Sequence, residues 1–370
     1  MAKAVVEDKG MILMQLLESI ESKDKYFKSA ACLVIKAVAK HSTLLAEILE
    51  EKRAIHFLVE CLREYDPTVK HAAIAALGEI ARHNQYLAKR VVDEGAIDPL
   101  ITCTQEPEIV LKRVAVQTLC KIVRHSEDLT NAVNKGDNLN ILNIQLVNHD
   151  TLLKRQILLC LGYMTKHSSS VGVMIVGHEN FKEIENCIQH NPDPTVQKNG
   201  LVLLNEIAKK NKDNPMNTAG KIKPKVFINY LRDHRGEPRL FCIPILSTMA
   251  GFNRELADTI FAEGGLIPFM DVLDNEHNPN IVSLACLAIS NMAKHAPDLT
   301  NKLVLTELGD GTQVMNNLQL KLLHKAVDNH LPHELKENAK IALESIIENC
   351  SELDILTTLL DVPRIPSLDR

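Results

Sequence analysis

The 370 residues carry a mild net charge of −5, which argues against a dedicated nucleic-acid binder. Hydrophobic residues make up 45%, charged residues 24% and aromatics only 4%, with no Trp, an inventory of Leu, Ile, Val and Ala that favours helices over strands. No apolar run reaches the ~18 residues of a membrane span, so no membrane partner is expected.

The first segment, "MAKAVVEDKGMILMQLLESI", is acidic and amphipathic and does not read as a secretory signal. Nine cysteines occur without a CxxC pair, and Cys32, Cys120, Cys160 and Cys286 sit inside apolar runs, where a thiol behaves as a small hydrophobe. A reducing compartment, the cytoplasm, is expected.

At 34–42 stands "VIKAVAKHS", and it returns as "LGEIARHN" (77–84), "LCKIVRHS" (119–126) and "LGYMTKHS" (161–168). The marker histidines His41, His83, His125 and His167 are each 42 residues apart. Later units put Lys210, Phe252, His295 and Asn349 at the marker, with steps of 43, 42, 43 and 54. Self-similarity at such a period signals an array. The repeats run approximately 2–41, 42–83, 84–125, 126–167, 168–210, 211–252, 253–295 and 296–349, with a tail at 350–370. The last repeat carries an insertion around "LGDGTQVMNN", whose "GDGT" reads as a turn and lacks the further ligands of a calcium loop.

Within each unit the apolar pattern is helical. Three residues before the marker stand Val38, Ile80, Ile122, Met164, Ile207, Met249, Met292 and Ile346. Six before it stand Ile35, Leu77, Leu119, Leu161, Leu204, Leu246, Ile289 and Leu343. Ten before it come mostly small residues: Ala31, Ala73, Ala115, Ile157, Gly200, Cys242, Ala285 and Ala339. These offsets share one helical face, the predicted buried face of the unit's longest helix. That helix starts after "YDPT", "QEPE" or "NPDPT", since Pro is tolerated in a first turn. After the marker, Ser42, Asn84, Ser126 and Ser168 are predicted N-caps. A short segment such as "QYLAKRVVDEG" follows, closed by Gly95, then a second, "AIDPLITCTQ". Two short helices and one long helix per unit are therefore expected, stable only when stacked.

The recurring histidine could be a metal ligand or a helix terminator. Ligands to one zinc lie at ~2.0–2.1 Å, whereas equivalent residues of stacked units stand at least a helix diameter, ~10 Å, apart. No metal site, cofactor or catalytic residue is expected. The markers read as side chains that satisfy the last carbonyls of their own helices, helped by the preceding cations Lys40, Arg82, Arg124, Lys166, Lys209 and Lys294. A second basic row, Lys28, Lys70, Lys112, Lys154, Arg239 and Lys336, lies thirteen residues before the marker. There a cation opposes the helix dipole, so a partner charge is expected beside it, with the stem packed on the core rim.

Units of about 42 residues with this helix order and a Gly-bearing turn such as "VVDEGAIDPL" resemble the armadillo repeat. "YFKSAACLVIKAVAKHS", "YDPTVKHAAIAALGEIARHN" and "QEPEIVLKRVAVQTLCKIVRHSEDL" are similar to the armadillo family of the ciliary central apparatus. The resemblance runs from about residue 2 to 363 and is most specific over 26–168. It implies an all-α, right-handed armadillo-repeat superhelix (α-solenoid). The implied role is a non-enzymatic structural scaffold of the axonemal central apparatus in motile cilia or flagella. Its partners would be the central-pair microtubule and neighbouring central-apparatus proteins. Family members extend further at both ends, so this chain reads as a trimmed or divergent one. The apolar "MILMQLLESI" and "LDILTTLLDV" lead to the expectation of ends covered in an assembly, self-association included.

In armadillo proteins the stripe through Leu33, Ala75, Gln117, Leu159, Val202 and Leu287 lines a groove, which would place Lys40, Arg82, Arg124, Lys166, Lys209 and Lys294 along it for an acidic partner. Import adaptors of this fold clamp a basic peptide with Trp and Asn ladders. Here the Asn-equivalent positions read Ala37, Glu79, Lys121, Tyr163, Glu206, Thr248, Asn291 and Ser345, and Trp is absent, which argues against that role. The candidate groove residues are thus the six cations with Glu79, Lys121, Tyr163, Glu206 and Asn291. A cytoplasmic armadillo adaptor for another protein's peptide is the alternative function. No phosphate loop or nucleophile elbow appears, so no enzyme is expected.

Overall fold

The computed structural model describes residues 24–210, 223–295, 305–307, 313–315 and 318–349. The chain divides into two compact units, Met1–Asn211 and Lys212–Arg370, a division that the even repeat did not announce. The stretches 11–20 and 353–362, expected to be covered, and "GDGT" at 309–312 lie outside the described residues.

In the first unit a long helix α1 (Lys25–His41) is followed by four helix triples. They are α2 (Thr43–Glu51), α3 (Ala54–Cys61) and α4 (Pro67–Ala81); α5 (Gln85–Asp93), α6 (Ile97–Gln105) and α7 (Ile109–Val123); α8 (Glu127–Val133), α9 (Asn138–Ile144) and α10 (Thr151–His167); and α11 (Ser169–Gly177), α12 (Phe181–His190) and α13 (Pro194–Lys210). In the second unit come α14 (Pro224–Asp233), α15 (Arg239–Ala250), α16 (Arg254–Ala262), α17 (Leu266–Asn275) and α18 (Pro279–Ala293), then α19 (Leu318–Val327) and α20 (His333–Asn349). Strands β1 (Leu305–Glu307) and β2 (Gln313–Met315) pair antiparallel, flanking "GDGT", and are the one departure from helix among the described residues.

The helix starts follow the capping chemistry. Asp66 and Asp150 open α4 and α10, accepting from Thr68 N and Leu153 N. Ser42, Asn84 and Ser126 cap α2, α5 and α8 as predicted. Ser168 does not: its hydroxyl meets the Ser170 hydroxyl at 2.9 Å, and α11 has no side-chain cap. Gly95 ends its segment at φ 82°, the left-handed region open to glycine. One repeat earlier Arg53 takes the same turn at φ 63°, a strained choice for a side-chain-bearing residue.

Long helices pack on long helices: α1 on α4, α4 on α7, α7 on α10 and α10 on α13 in the first unit, α15 on α18 and α18 on α20 in the second. The predicted core stripe is buried at all three levels except Leu343, which is half-buried. Small residues allow the close approach. A Cβ on Gly78 of α4 would lie 2.5 Å from the Thr118 hydroxyl of α7. The described cysteines are buried free thiols. Among the described residues no helix is long and apolar enough to cross a membrane.

Candidate functional site

The marker histidines act across the stack, which corrects the expectation that each closes its own helix. His83 Nε2 donates to the Ala39 carbonyl at 2.6 Å, His125 Nε2 to Ala81 at 2.9 Å and His167 Nε2 to Arg124 at 3.1 Å. Each acceptor lies in the last turn, or at the C-cap, of the preceding long helix. The other ring nitrogen of His83, Nδ1, lies 3.2 Å from Thr43 Oγ1. The same logic holds for two of the cations: Arg82 donates to the Lys40 carbonyl and Arg124 to the Arg82 carbonyl, both at 2.9 Å. Orphan carbonyls at one helix end are thus satisfied by the next repeat.

The second basic row has the expected partners where the pairs are tightest. Lys28 pairs with Glu64, and Lys70 with Glu106 at 2.7 Å, in the turn before the next long helix. Lys112 instead meets the Gln145 amide oxygen at 3.0 Å. In the second unit Arg239, 1% exposed, bonds Asp271 and the His234 carbonyl and lies 3.5 Å from Glu276.

A cleft of about 330 Å³ opens on the face formed by α1, α4, α7 and α10. Lys36 comes from α1 and His71, Ala75 and Glu79 from α4. Helix α7 supplies Val110, Arg113, Val114, Gln117, Thr118 and Lys121, and α10 supplies Leu152 and Gln156. Lys121 reaches Glu79 at 2.8 Å, and Arg82 stands 3.0 Å from the same carboxylate. Burial works to raise the Glu79 carboxyl, but Lys121, Arg82 and Lys36 hold it below its ordinary range. Burial and the Lys36 charge depress the His71 imidazole, against a smaller upward pull from Glu108. Arg113 forks onto both oxygens of Asp150, the N-cap of α10, and keeps that carboxyl depressed.

Of the sequence-predicted groove residues, Glu79 and Lys121 line this cleft with Ala75 and Gln117 of the stripe. Arg82 joins them through Glu79. Lys40, Arg124 and Lys166 are exposed near the ends of their helices and do not line it. Tyr163 is half-buried outside it. Glu206 and Lys209 pair with each other along α13 at 3.3 Å. In the second unit Asn291 is committed to the Ser247 carbonyl and hydroxyl at 3.1 and 3.0 Å, and Lys294 is exposed.

The sequence reading missed Lys36, His71, Arg113, Val110, Leu152 and Gln156. A signal existed: His71 and Arg113 both stand twelve residues before their markers, and Val110 and Leu152 both fifteen before theirs. Among the described residues no group of three or more His, Cys, Asp or Glu is placed to hold a metal ion.

No family model matches the chain, and no curated protein matches it. Solved structures do. An engineered protein from the Northeast Structural Genomics Consortium is 18% identical over 94% of this chain and 84% of that one, with a TM-score of 0.80. A second engineered protein from that consortium is 16% identical over 75% of this chain and 95% of that one, with a TM-score of 0.53. A designed armadillo repeat protein in complex with the peptide (KR)4 is 14% identical over 75% of this chain and 98% of that one; its TM-score of 0.47 gives it no weight. These likenesses bear on the fold alone. The stacked helix triples make it an all-α armadillo-repeat solenoid, and the engineered structure with a TM-score of 0.80 has the same fold.

Proposed function

We propose that the chain is a non-enzymatic, protein-binding scaffold that uses the long-helix face of its first unit. The observation that carries this is the cleft. It reaches across four stacked helices and offers exposed aliphatic and half-buried charged side chains, with no activated nucleophile or paired acid and base. A repeat array suits such work because each unit is held by its neighbours and its outer faces stay free for partners.

The finer reading is a structural element of the axonemal central apparatus in motile cilia or flagella. It would contact the central-pair microtubule and neighbouring proteins, and copies of itself through its ends. What supports it is the sequence likeness of 26–168 to sperm-associated antigen 6, the armadillo protein of that apparatus. The cilium, axoneme and cytoskeleton are the proposed location, with neither nucleic acid nor membrane as partner. The test is fractionation of motile cilia carrying the tagged chain. Retention with detergent-extracted axonemes, and release at high salt or on loss of the central pair, is the expected result. Release by detergent alone, or absence from cilia, overturns the ciliary reading and moves the scaffold to a cytoplasmic adaptor role.

A further inference from the structure

The cleft's chemistry specifies its occupant beyond "a protein". Resting on the docking role proposed above, we infer that the cleft takes an extended acidic segment bearing at least one aliphatic side chain.

The apolar part of the argument lies in Val110 and Leu152, which open the neighbouring helices α7 and α10 at equivalent positions. They are 52% and 45% exposed, with Val114 and Ala75 beside them in the lining. Large aliphatics left in water on one face of a cleft are better covered by a ligand side chain.

The polar part lies in the charges. Three cations, Lys36, Arg113 and Lys121, line the cleft against a single carboxylate, Glu79. Glu79 is already held by Lys121 and Arg82, and Arg113 is held by Asp150. Glu108, the further carboxylate that acts on His71, is not in the lining. Lys36 acts on Glu79 only at a distance and has no ion pair among the described residues, so it is the cation of the three with no carboxylate in contact. A ligand carboxylate satisfies it; a basic ligand meets three cations and a carboxylate that is already doubly engaged.

Shape favours an extended chain. Packed helices stand ~8–10 Å apart, so four of them span roughly 25–30 Å. At ~3.3 Å per residue that is about eight or nine extended residues. An extended backbone needs hydrogen-bond partners, and the Gln117 and Gln156 amides line the cleft without one among the described residues.

The test is fluorescence anisotropy of the full chain with three labelled octapeptides: alternating Glu and Leu, alternating Lys and Leu, and alternating Glu and Gly. The Glu–Leu peptide is expected to bind most tightly and to weaken as salt rises, as an exposed charge contact does. Lys36→Glu is expected to weaken it about tenfold, since like charges then face each other. Lys36→Gln should weaken it less, and Lys89→Glu, exposed on α5, should leave it unchanged. Matching circular dichroism and melting curves establish that the variants are folded. Equal or tighter binding of the Lys–Leu peptide, or an unchanged Glu–Leu affinity in Lys36→Glu, overturns the acidic occupant. Equal binding of the Glu–Gly peptide overturns the aliphatic anchor. A photo-crosslinker at position 117 separates this failure from failure of the docking face itself. Capture of the Lys–Leu peptide alone keeps the face and removes the acidic class. Capture of none of the three peptides, by a chain that is still retained on axonemes, removes the cleft as the docking site and leaves the scaffold standing.

Discussion

The two units stack long helices alike but join them with different chemistry. In the first, one device recurs: a marker histidine or its neighbouring arginine donates to the end of the previous helix, and Arg113 and Arg155 each reach the aspartate that opens the next one. In the second, Phe252 replaces the marker and Pro244 sits inside α15. His295 keeps the marker but leaves Nε2 buried without a hydrogen-bond partner. Lateral bonds there come from Asn291 to Ser247, Ser290 to Ser345 and Asn338 to Ser283. The buried Arg239 joins α15 to Asp271 of α17. The shared requirement is therefore a lateral donor for each helix end or flank. Which residue supplies it is free to change.

The largest effect that can break this comparison is at Arg239. Replacing it with Met removes the buried cation between Asp271 and the largely buried Glu276, leaving Asp271 with the exposed Arg235 and the Asn275 amide, Glu276 with the Gly236 N–H, and the His234 carbonyl without its Arg239 bond. Breaking a buried pair on one side costs about 3–5 kcal/mol, and the partial exposure of Asp271 places the loss near the lower end, about 3 kcal/mol. Arg113→Met in the first unit removes a bidentate pair whose arginine is about a third exposed, so its cost is about 1 kcal/mol or less. Urea unfolding with hydrogen exchange resolved by segment reads both. Equal losses at the two sites would erase the distinction between a buried and a surface-linked device.

Much of this was legible in the sequence, and the part that was not has a geometric cause. The periodicity of 3.6 identifies the buried face of each long helix, because Ile80, Leu77 and Ala73 must point the same way. It does not say which neighbouring carbonyl a donor reaches. His125 sits 44 residues from Ala81, the repeat of 42 plus a stagger of two, and stagger is a property of packed helices. For the same reason the cleft lies further toward the helix N-termini than the cation row suggested. Val110 and Leu152 line it from the starts of α7 and α10, and His71 and Arg113 share a register, twelve residues before their markers, that the buried stripe does not single out. The buried Arg239 looked like one more surface lysine position because its row is otherwise lysine.

A sharper probe of close stacking is Gly78. Elsewhere in a helix, Gly→Ala gains about 1 kcal/mol. Here the new Cβ meets the Thr118 hydroxyl at 2.5 Å while that hydroxyl donates to the Ile74 carbonyl at 3.1 Å. Gly78→Ala is expected to cost about 1–3 kcal/mol, the usual range for overpacking. Adding Thr118→Ala removes the obstruction, so the pair should be more stable than the sum of the single losses. Additive losses in thermal unfolding would show that α4 and α7 do not meet through this contact.

The smallest expected effect concerns the histidine ladder, and it carries its own pH signature. His125→Ala loses the bond to the Ala81 carbonyl at a half-buried position, worth about 1 kcal/mol, whereas His125→Gln offers a replacement donor. Burial, with Arg124 and His167 adding to it, depresses the His125 imidazole against the upward pull of the Ala81 carbonyl. His71 is depressed by burial and Lys36. A histidine whose pKa is lower folded than unfolded binds fewer protons in the native state as pH falls below the ordinary 6.5. The stability it contributes is full above that value and is lost as pH drops through the folded one. Melting temperature should accordingly fall between about pH 7 and pH 5, before most carboxylates titrate, and His71→Gln with His125→Gln should flatten that slope. A slope unchanged by the double variant would assign the pH response to other groups and leave the ladder a purely neutral hydrogen-bond device.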